Sequence, residues 1–101
     1  MIISKMARAV RMLDTKYVVN FHKINLLSMA QDFWIEGTPA RVTDLIKIYK
    51  GASAATTHKM INELVKAKLF KVVANKNDKR ERILERGVKF NFMETDLEKY
   101  I

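Results

Sequence analysis

The order of patterned segments predicts a mainly helical domain carrying one small β-hairpin, arranged α-α-α-α-β-β-α. Three observations predict it. Apolar residues recur at helical spacing through four successive segments between residues 2 and 68. Lys50-Gly51 breaks the third segment from the fourth, which is the short Gly-containing connection that two helices joined by a tight turn require. The pattern then changes to two β-rich runs separated by the turn cluster Asn75-Lys76-Asn77-Asp78.

Residues 2–13 place Ile2, Ile3, Met6, Val10 and Leu13 on one side of a helix and Lys5, Arg8 and Arg11 on another, and Asp14–Lys16 is expected to end it. Asn20 can cap a second helix running to residue 36. Its stripe of Phe21, Ile24, Leu27, Ala30 and Trp34 makes it the expected centre of the core, and Leu26, Met29, Phe33 and Ile35 extend its apolar surface to further sides before Gly37-Thr38-Pro39 stops it. Val42, Leu45, Ile46 and Tyr49 stand at i, i+3, i+4 and i+7, a short third helix. Ser53 is placed to cap a fourth, Ala54 to Lys68, with Thr57, Ile61, Leu64 and either Met60 or Val65 facing inward. Residues 69–74 and 82–85 are the two strands. Helix, turn, helix and a hairpin with a basic tip together make the winged helix-turn-helix arrangement. In the last segment, Phe90, Met93, Leu97 and Tyr100 fit a helix stripe, and Thr95-Asp96-Leu97-Glu98 reads as a capping box that starts a helix at least from Asp96. Val88, Phe90 and Phe92 alternate as a strand would, so an extended 88–92 stands beside the terminal helix as an alternative.

Composition narrows the function classes. The chain has 101 residues, 49% apolar, enough for one core, and residues 1–101 are expected to form a single domain. Without cysteine there is no disulfide, thiolate metal site, iron–sulfur cluster or cysteine nucleophile, and His22 and His58 have no clustered carboxylates with which to hold a metal. No nucleophile–base pair, paired-carboxylate site or phosphate-cradling glycine loop is present, so neither an enzyme nor a cofactor is expected. No apolar run approaches the ~20 residues that span a bilayer, and the N-terminus has no signal-peptide apolar region; a soluble, cytoplasmic protein is expected. Net charge is +8, concentrated in residues 53–86, which carry nine basic and four acidic side chains. Such a surface attracts polyanions, nucleic acid above all.

On the fourth helix Ala55, Lys59, Asn62 and Lys66 share one face opposite Thr57, Ile61 and Leu64, with Thr56 and His58 on its flanks. In a major groove Asn can pair with adenine, Lys can donate to guanine, and the Thr56 methyl can meet that of thymine. An ordinary solvated face is the alternative. Ser53 can cap the helix and touch phosphate as well. In the hairpin, Lys76, Lys79, Arg80 and Arg82 surround the turn and can follow backbone or a narrow minor groove. Arg41 and Lys47 are further candidates for backbone contacts, or solvated surface. Trp34, Phe21 and Phe33 are expected in the core. The terminal stripe of 1–13, with 88–101, either closes the domain's own core or meets a second copy; a homodimer is the expectation.

Residues 42–80 resemble the DNA-binding core of MarR-family winged-helix regulators. Val42-Thr43-Asp44-Leu45-Ile46 is similar to the family's helix before the turn, Ser53 to Leu64 to its recognition helix, Lys66-Ala67-Lys68-Leu69-Phe70 to the exit into the wing, and Asn77-Asp78-Lys79-Arg80 to the wing signature, an Asp followed two positions later by an Arg. The resemblance implies an Asp78–Arg80 pair that shapes the wing, as an alternative to direct DNA contact by Arg80. Three departures stand out. Glu85-Arg86-Gly87 occupies the region where family members carry Leu-Thr, Lys68 stands where a glycine usually caps the helix, and the family's long C-terminal dimerisation helix has no counterpart before Ile101. The family often binds a small effector near the dimerising helices, but no convergent polar set here identifies such a site.

These readings converge on a sequence-specific double-stranded DNA-binding transcriptional regulator. The alternatives are a winged-helix module that binds proteins and a replication or packaging accessory factor that binds DNA without sequence preference.

Overall fold

A computed structural model describes residues 1–100 of the chain. Its elements are α1 (Ile2–Tyr17), α2 (Phe21–Glu36), β1 (Ala40–Arg41), α3 (Val42–Ile48), α4 (Ala54–Lys66), β2 (Phe70–Ala74), β3 (Arg82–Arg86) and α5 (Phe90–Glu98). This is the winged-helix order expected from the sequence, with one strand more.

The core gathers Leu26, Leu27 and Ala30 of α2, Val42 and Leu45 of α3, Met60, Ile61 and Leu64 of α4, Leu69, Phe70 and Leu84 of the hairpin, and Phe90 and Met93 of α5. Each fully buried aliphatic or aromatic side chain contributes about 1.5–3 kcal/mol relative to exposure. The second helix is central, as expected, and is buried beyond its stripe, with Leu26 fully enclosed and Phe33 packed against the core, whereas Phe21 and Ile35 are exposed. Trp34 joins the layers. Its Nε1 donates to the Leu84 carbonyl at 2.9 Å, and its ring meets Phe70 and Phe90 edge-on at centroid distances of 6.1 and 5.3 Å.

The caps predicted at Asn20 and Ser53 form. The Asn20 side chain accepts from the Lys23 N–H and the Ser53 side chain from the Thr56 N–H, each satisfying a donor that the first helical turn leaves without an intrahelical partner. Gly37, at φ 77°, closes α2 in the left-handed region.

Several boundaries move. Asp14–Lys16 does not end α1, because none of these residues breaks a helix; it ends at Val18, whose φ of 56° is left-handed, while Val19 turns inward and is fully buried. At the other end of the fold α4 stops at Lys66, two residues earlier than expected. Lys68 takes the left-handed position, φ 63°, and the Lys68 and Leu69 amides donate back to Val65 and Leu64 in a Schellman-type end. A lysine therefore occupies a conformation that glycine adopts at no steric cost. The last helix begins at Phe90, as the stripe of Phe90, Met93, Leu97 and Tyr100 predicts, so the alternative extended 88–92 segment does not form and Thr95 lies inside the helix instead of capping it. Burying Phe90 beside Trp34 leaves Phe92 exposed, and the Thr95 hydroxyl donates to the Asn91 carbonyl from inside the helix.

The hairpin is part of a three-stranded antiparallel sheet in the order β1-β3-β2. Val72 pairs with Leu84 and Ala74 with Arg82; on the other edge Ala40 and Arg41 pair with Leu84 and Ile83. Two residues after Pro39 are too short a run to show period-two alternation, which is why the sequence does not announce this strand. Where β3 leaves the sheet, Gly87 crosses the end of α4: its amide donates to the Leu69 carbonyl at 3.0 Å, and a methyl group on it would overlap the Lys68 carbonyl.

Candidate nucleic-acid interface

The outer face of α4 is set by what its inner face buries. Thr57, Met60, Ile61 and Leu64 point into the core, which turns Ala55, Thr56, His58, Lys59, Asn62 and Lys66 to solvent, all of them exposed. Within this face the structure brings together two pairs. The Ser53 hydroxyl donates to the Thr56 hydroxyl at 2.9 Å while accepting from the Thr56 amide at 3.1 Å, and Asn62 Nδ2 lies 3.4 Å from His58 Nδ1 one turn away. Lys59 and Lys66 project from the same surface, and the only acid on the helix is Glu63.

Residues 75–81 form the wing tip. Its shape comes from local hydrogen bonds: the Asn75 amide donates to the Glu81 carbonyl, the Glu81 amide to the Asp78 carbonyl, and the Asn77 and Arg80 amides to the side chains of Asn75 and Asp78. Lys76, Lys79, Arg80 and Arg82 are exposed around it. The Asp78–Arg80 pair implied by the wing signature is present, Oδ1 to Nε at 3.6 Å, yet the Arg80 side chain is 95% exposed. An ion pair so open to water holds the guanidinium weakly and leaves it available to a phosphate.

Arg41 departs from expectation. Its guanidinium is engaged by Glu81 at the base of the wing and by Asp44 at 3.6 Å, so it fastens β1 and α3 to the wing. Lys47 remains exposed. Phe21 lies on the surface, whereas Phe33 and Trp34 pack against the core.

Three arrangements escaped sequence reasoning. His22 Nδ1 meets the Tyr49 hydroxyl, joining the start of α2 to the end of α3. Arg86 lies over the Trp34 ring with its guanidinium carbon 4.6 Å from the centroid. Lys23, in α2, donates to Glu63 of α4 at 2.8 Å. The signal for the last was a lysine placed one residue before Ile24 of the apolar stripe, but its partner lies forty residues on and no local pattern links them.

Among the described residues no group of His, Cys, Asp or Glu is clustered to hold a metal, and no helix is long and apolar enough to cross a membrane. The architecture defines the class, a winged-helix domain whose second turn helix and hairpin both present basic, polar side chains. Among solved structures the chain is similar to the transcriptional regulator Tm0710 from Thermotoga maritima, with a TM-score of 0.72 and 14% identity, over 97% of this chain and 65% of that one. At this identity the likeness shows the fold. The chain spans about two thirds of that protein's length. No family model and no curated protein matches the sequence.

Proposed function

We propose that this protein is a sequence-specific double-stranded DNA-binding transcriptional regulator of MarR-like type, acting without catalysis. One observation carries the reading: a winged-helix scaffold turns the capped, acid-poor face of α4 and a wing with four exposed cations to solvent. Asn62, Lys59, Thr56 and His58, with Ala55 allowing close approach, would read base edges in the major groove. Ser53, Lys66 and the wing residues Lys76, Lys79, Arg80 and Arg82 would fix register on phosphates. The MarR-like part of the reading rests on the Ser53–Leu64 helix and the Asn77-Asp78-Lys79-Arg80 tip, the segments that resemble that family's recognition helix and wing signature.

The regulator acts as one winged-helix unit that pairs with a second copy through α1 and α5. Ile2, Ile3, Met6 and Val10 are exposed, and a groove of about 430 Å³ between the helices is lined by Ile2, Met6, Val10, Leu97 and Tyr100. A two-fold partner would match a palindromic site.

Selection of bound duplexes from a random library, followed by anisotropy titration against scrambled DNA, tests the reading. An enriched motif bound at least ~10³-fold more tightly than scrambled DNA is expected. Salt-sensitive binding without a motif would replace this reading with a non-specific accessory factor, and no binding would leave a protein-interaction module.

A further inference from the structure

Lys23 is the only charged residue in the buried class among the described residues, its side chain 9% exposed. A buried ammonium is tolerated only where partners replace the water it has lost. Here there are two: Glu63 Oε2 at 2.8 Å and the Val18 carbonyl at 3.3 Å. The first belongs to α4, the second to the left-handed residue that ends α1, so one ammonium meets three helices.

Glu63 has the more telling position. It follows Asn62 directly, stands within one turn of both Lys59 and Lys66, and keeps 42% of its side chain exposed on the flank of the face turned to solvent. A bare carboxylate there would oppose approaching phosphates. The lysines of its own helix cannot both cancel it and serve DNA, whereas Lys23 approaches from behind, out of reach of a groove. The same contact holds the Glu63 carboxyl below the usual carboxylate range, chiefly through the hydrogen bond and charge of Lys23.

From this arrangement we infer that Lys23 is a positioning residue for DNA recognition: it neutralises Glu63 from inside the fold and draws that carboxylate back toward α2, freeing Lys59 and Lys66 for DNA. This deepens the DNA-binding reading and rests on it. A pair serving only fold stability would leave the affinity and salt dependence of the folded protein unchanged when broken.

The test compares wild type, Lys23→Met, Glu63→Gln and the double variant Lys23→Met/Glu63→Gln on the duplex selected for wild type, by anisotropy over a salt series. It is run at a temperature where circular dichroism shows each protein folded. Lys23→Met should bind about tenfold more weakly at low salt, with the gap closing as salt rises. Glu63→Gln, which keeps an oxygen acceptor for Lys23, should bind at least as tightly as wild type, and the double variant should return to within about threefold of it. Wild-type binding by folded Lys23→Met at every salt concentration, or a double variant as weak as Lys23→Met, would overturn the inference. If Lys23→Met does not fold, Lys23→Gln, which removes the charge and keeps a donor, carries the same comparison. Failure of the DNA reading itself would show earlier, as a wild-type protein that binds no duplex.

Discussion

Helices α1 and α4 are both amphipathic and of similar length, 16 and 13 residues, yet the fold uses them in opposite ways. In α4 the apolar side is wholly inside and the exposed side is polar. In α1 only Leu13 is buried, and Ile2, Ile3, Met6 and Val10 face water at 43–75% exposure. The contrast teaches that amphipathicity alone does not say which side of a helix is used. This domain completes α4 by packing it, and leaves α1 an apolar surface its own core does not cover.

The contrast can be broken at several points. The largest effect belongs to α4: Leu64→Ala should cost about 2–5 kcal/mol in urea unfolding, because Leu64 is 1% exposed and its removal leaves a cavity. Ile3→Ala, at 74% exposure, should stay within about 0.5 kcal/mol for the monomer. Equal losses at both positions would show that α1 belongs to the same core. Next comes assembly. On the proposed pairing through α1 and α5, Met6→Glu with Ile3→Glu should weaken self-association by about 2 kcal/mol or more, read by light scattering as a shift from two protomers to one with an unchanged circular dichroism spectrum. An unchanged mass would remove the stripe from the interface.

Smaller effects sharpen the comparison at the helix ends. Val18 and Lys68 are left-handed without being glycine, a conformation that costs a side-chain-bearing residue about 1–2 kcal/mol. Since both side chains are exposed, Val18→Gly and Lys68→Gly should each raise stability, by about 1 kcal/mol once the freer unfolded chain is counted, in thermal unfolding. The smallest effect concerns the clasp between α1 and α5, where Lys16 Nζ and the Tyr17 hydroxyl both donate to Asp96. Those hydrogen bonds, Lys16 first, hold the Asp96 carboxyl down at about 2 from an ordinary 3.8, whereas burial and the Asp96 bond raise the Tyr17 hydroxyl to about 12. A depressed carboxyl stabilises the fold above its unfolded value and loses that contribution as pH falls through the folded one. The clasp should therefore be intact above about pH 4 and lost toward pH 2. Asp96→Asn should flatten the acid limb of stability between those values and speed amide exchange in α1; an unaltered limb would show that the clasp does not hold the helix.

How far the sequence carried this account depends on the range over which each signal acts. Local signals were legible: the Asn20 and Ser53 caps, the Gly37 stop, the inward face of α4 and the hairpin turn all follow from neighbours within a few residues. Ends governed by distant packing were not. The stripe from Phe90 was legible, but the choice between helix and strand at 88–92 is settled by Trp34, 56 positions earlier, which meets Phe90 in the core, and α1 runs on to Tyr17 because Val19 has a buried seat to reach. The strand Ala40–Arg41 exists only through its pairing with Ile83 and Leu84. At the interface, the residue types and the exposed face were readable from spacing, while the diversion of Arg41 to Glu81 and the Lys23–Glu63 pair needed three dimensions, since each joins residues at least 40 apart.

The most direct test of the division between a reading helix and a holding wing is the salt dependence of DNA affinity for wild type, Asn62→Ala and Arg80→Ala. Asn62→Ala should lower the ratio of selected to scrambled binding by about 1–3 kcal/mol at an unchanged slope of log K against log salt, and Arg80→Ala should weaken both duplexes alike and reduce that slope by about 1. A specificity ratio untouched by Asn62→Ala, together with a slope untouched by Arg80→Ala, would contradict the assignment of α4 and the wing to DNA.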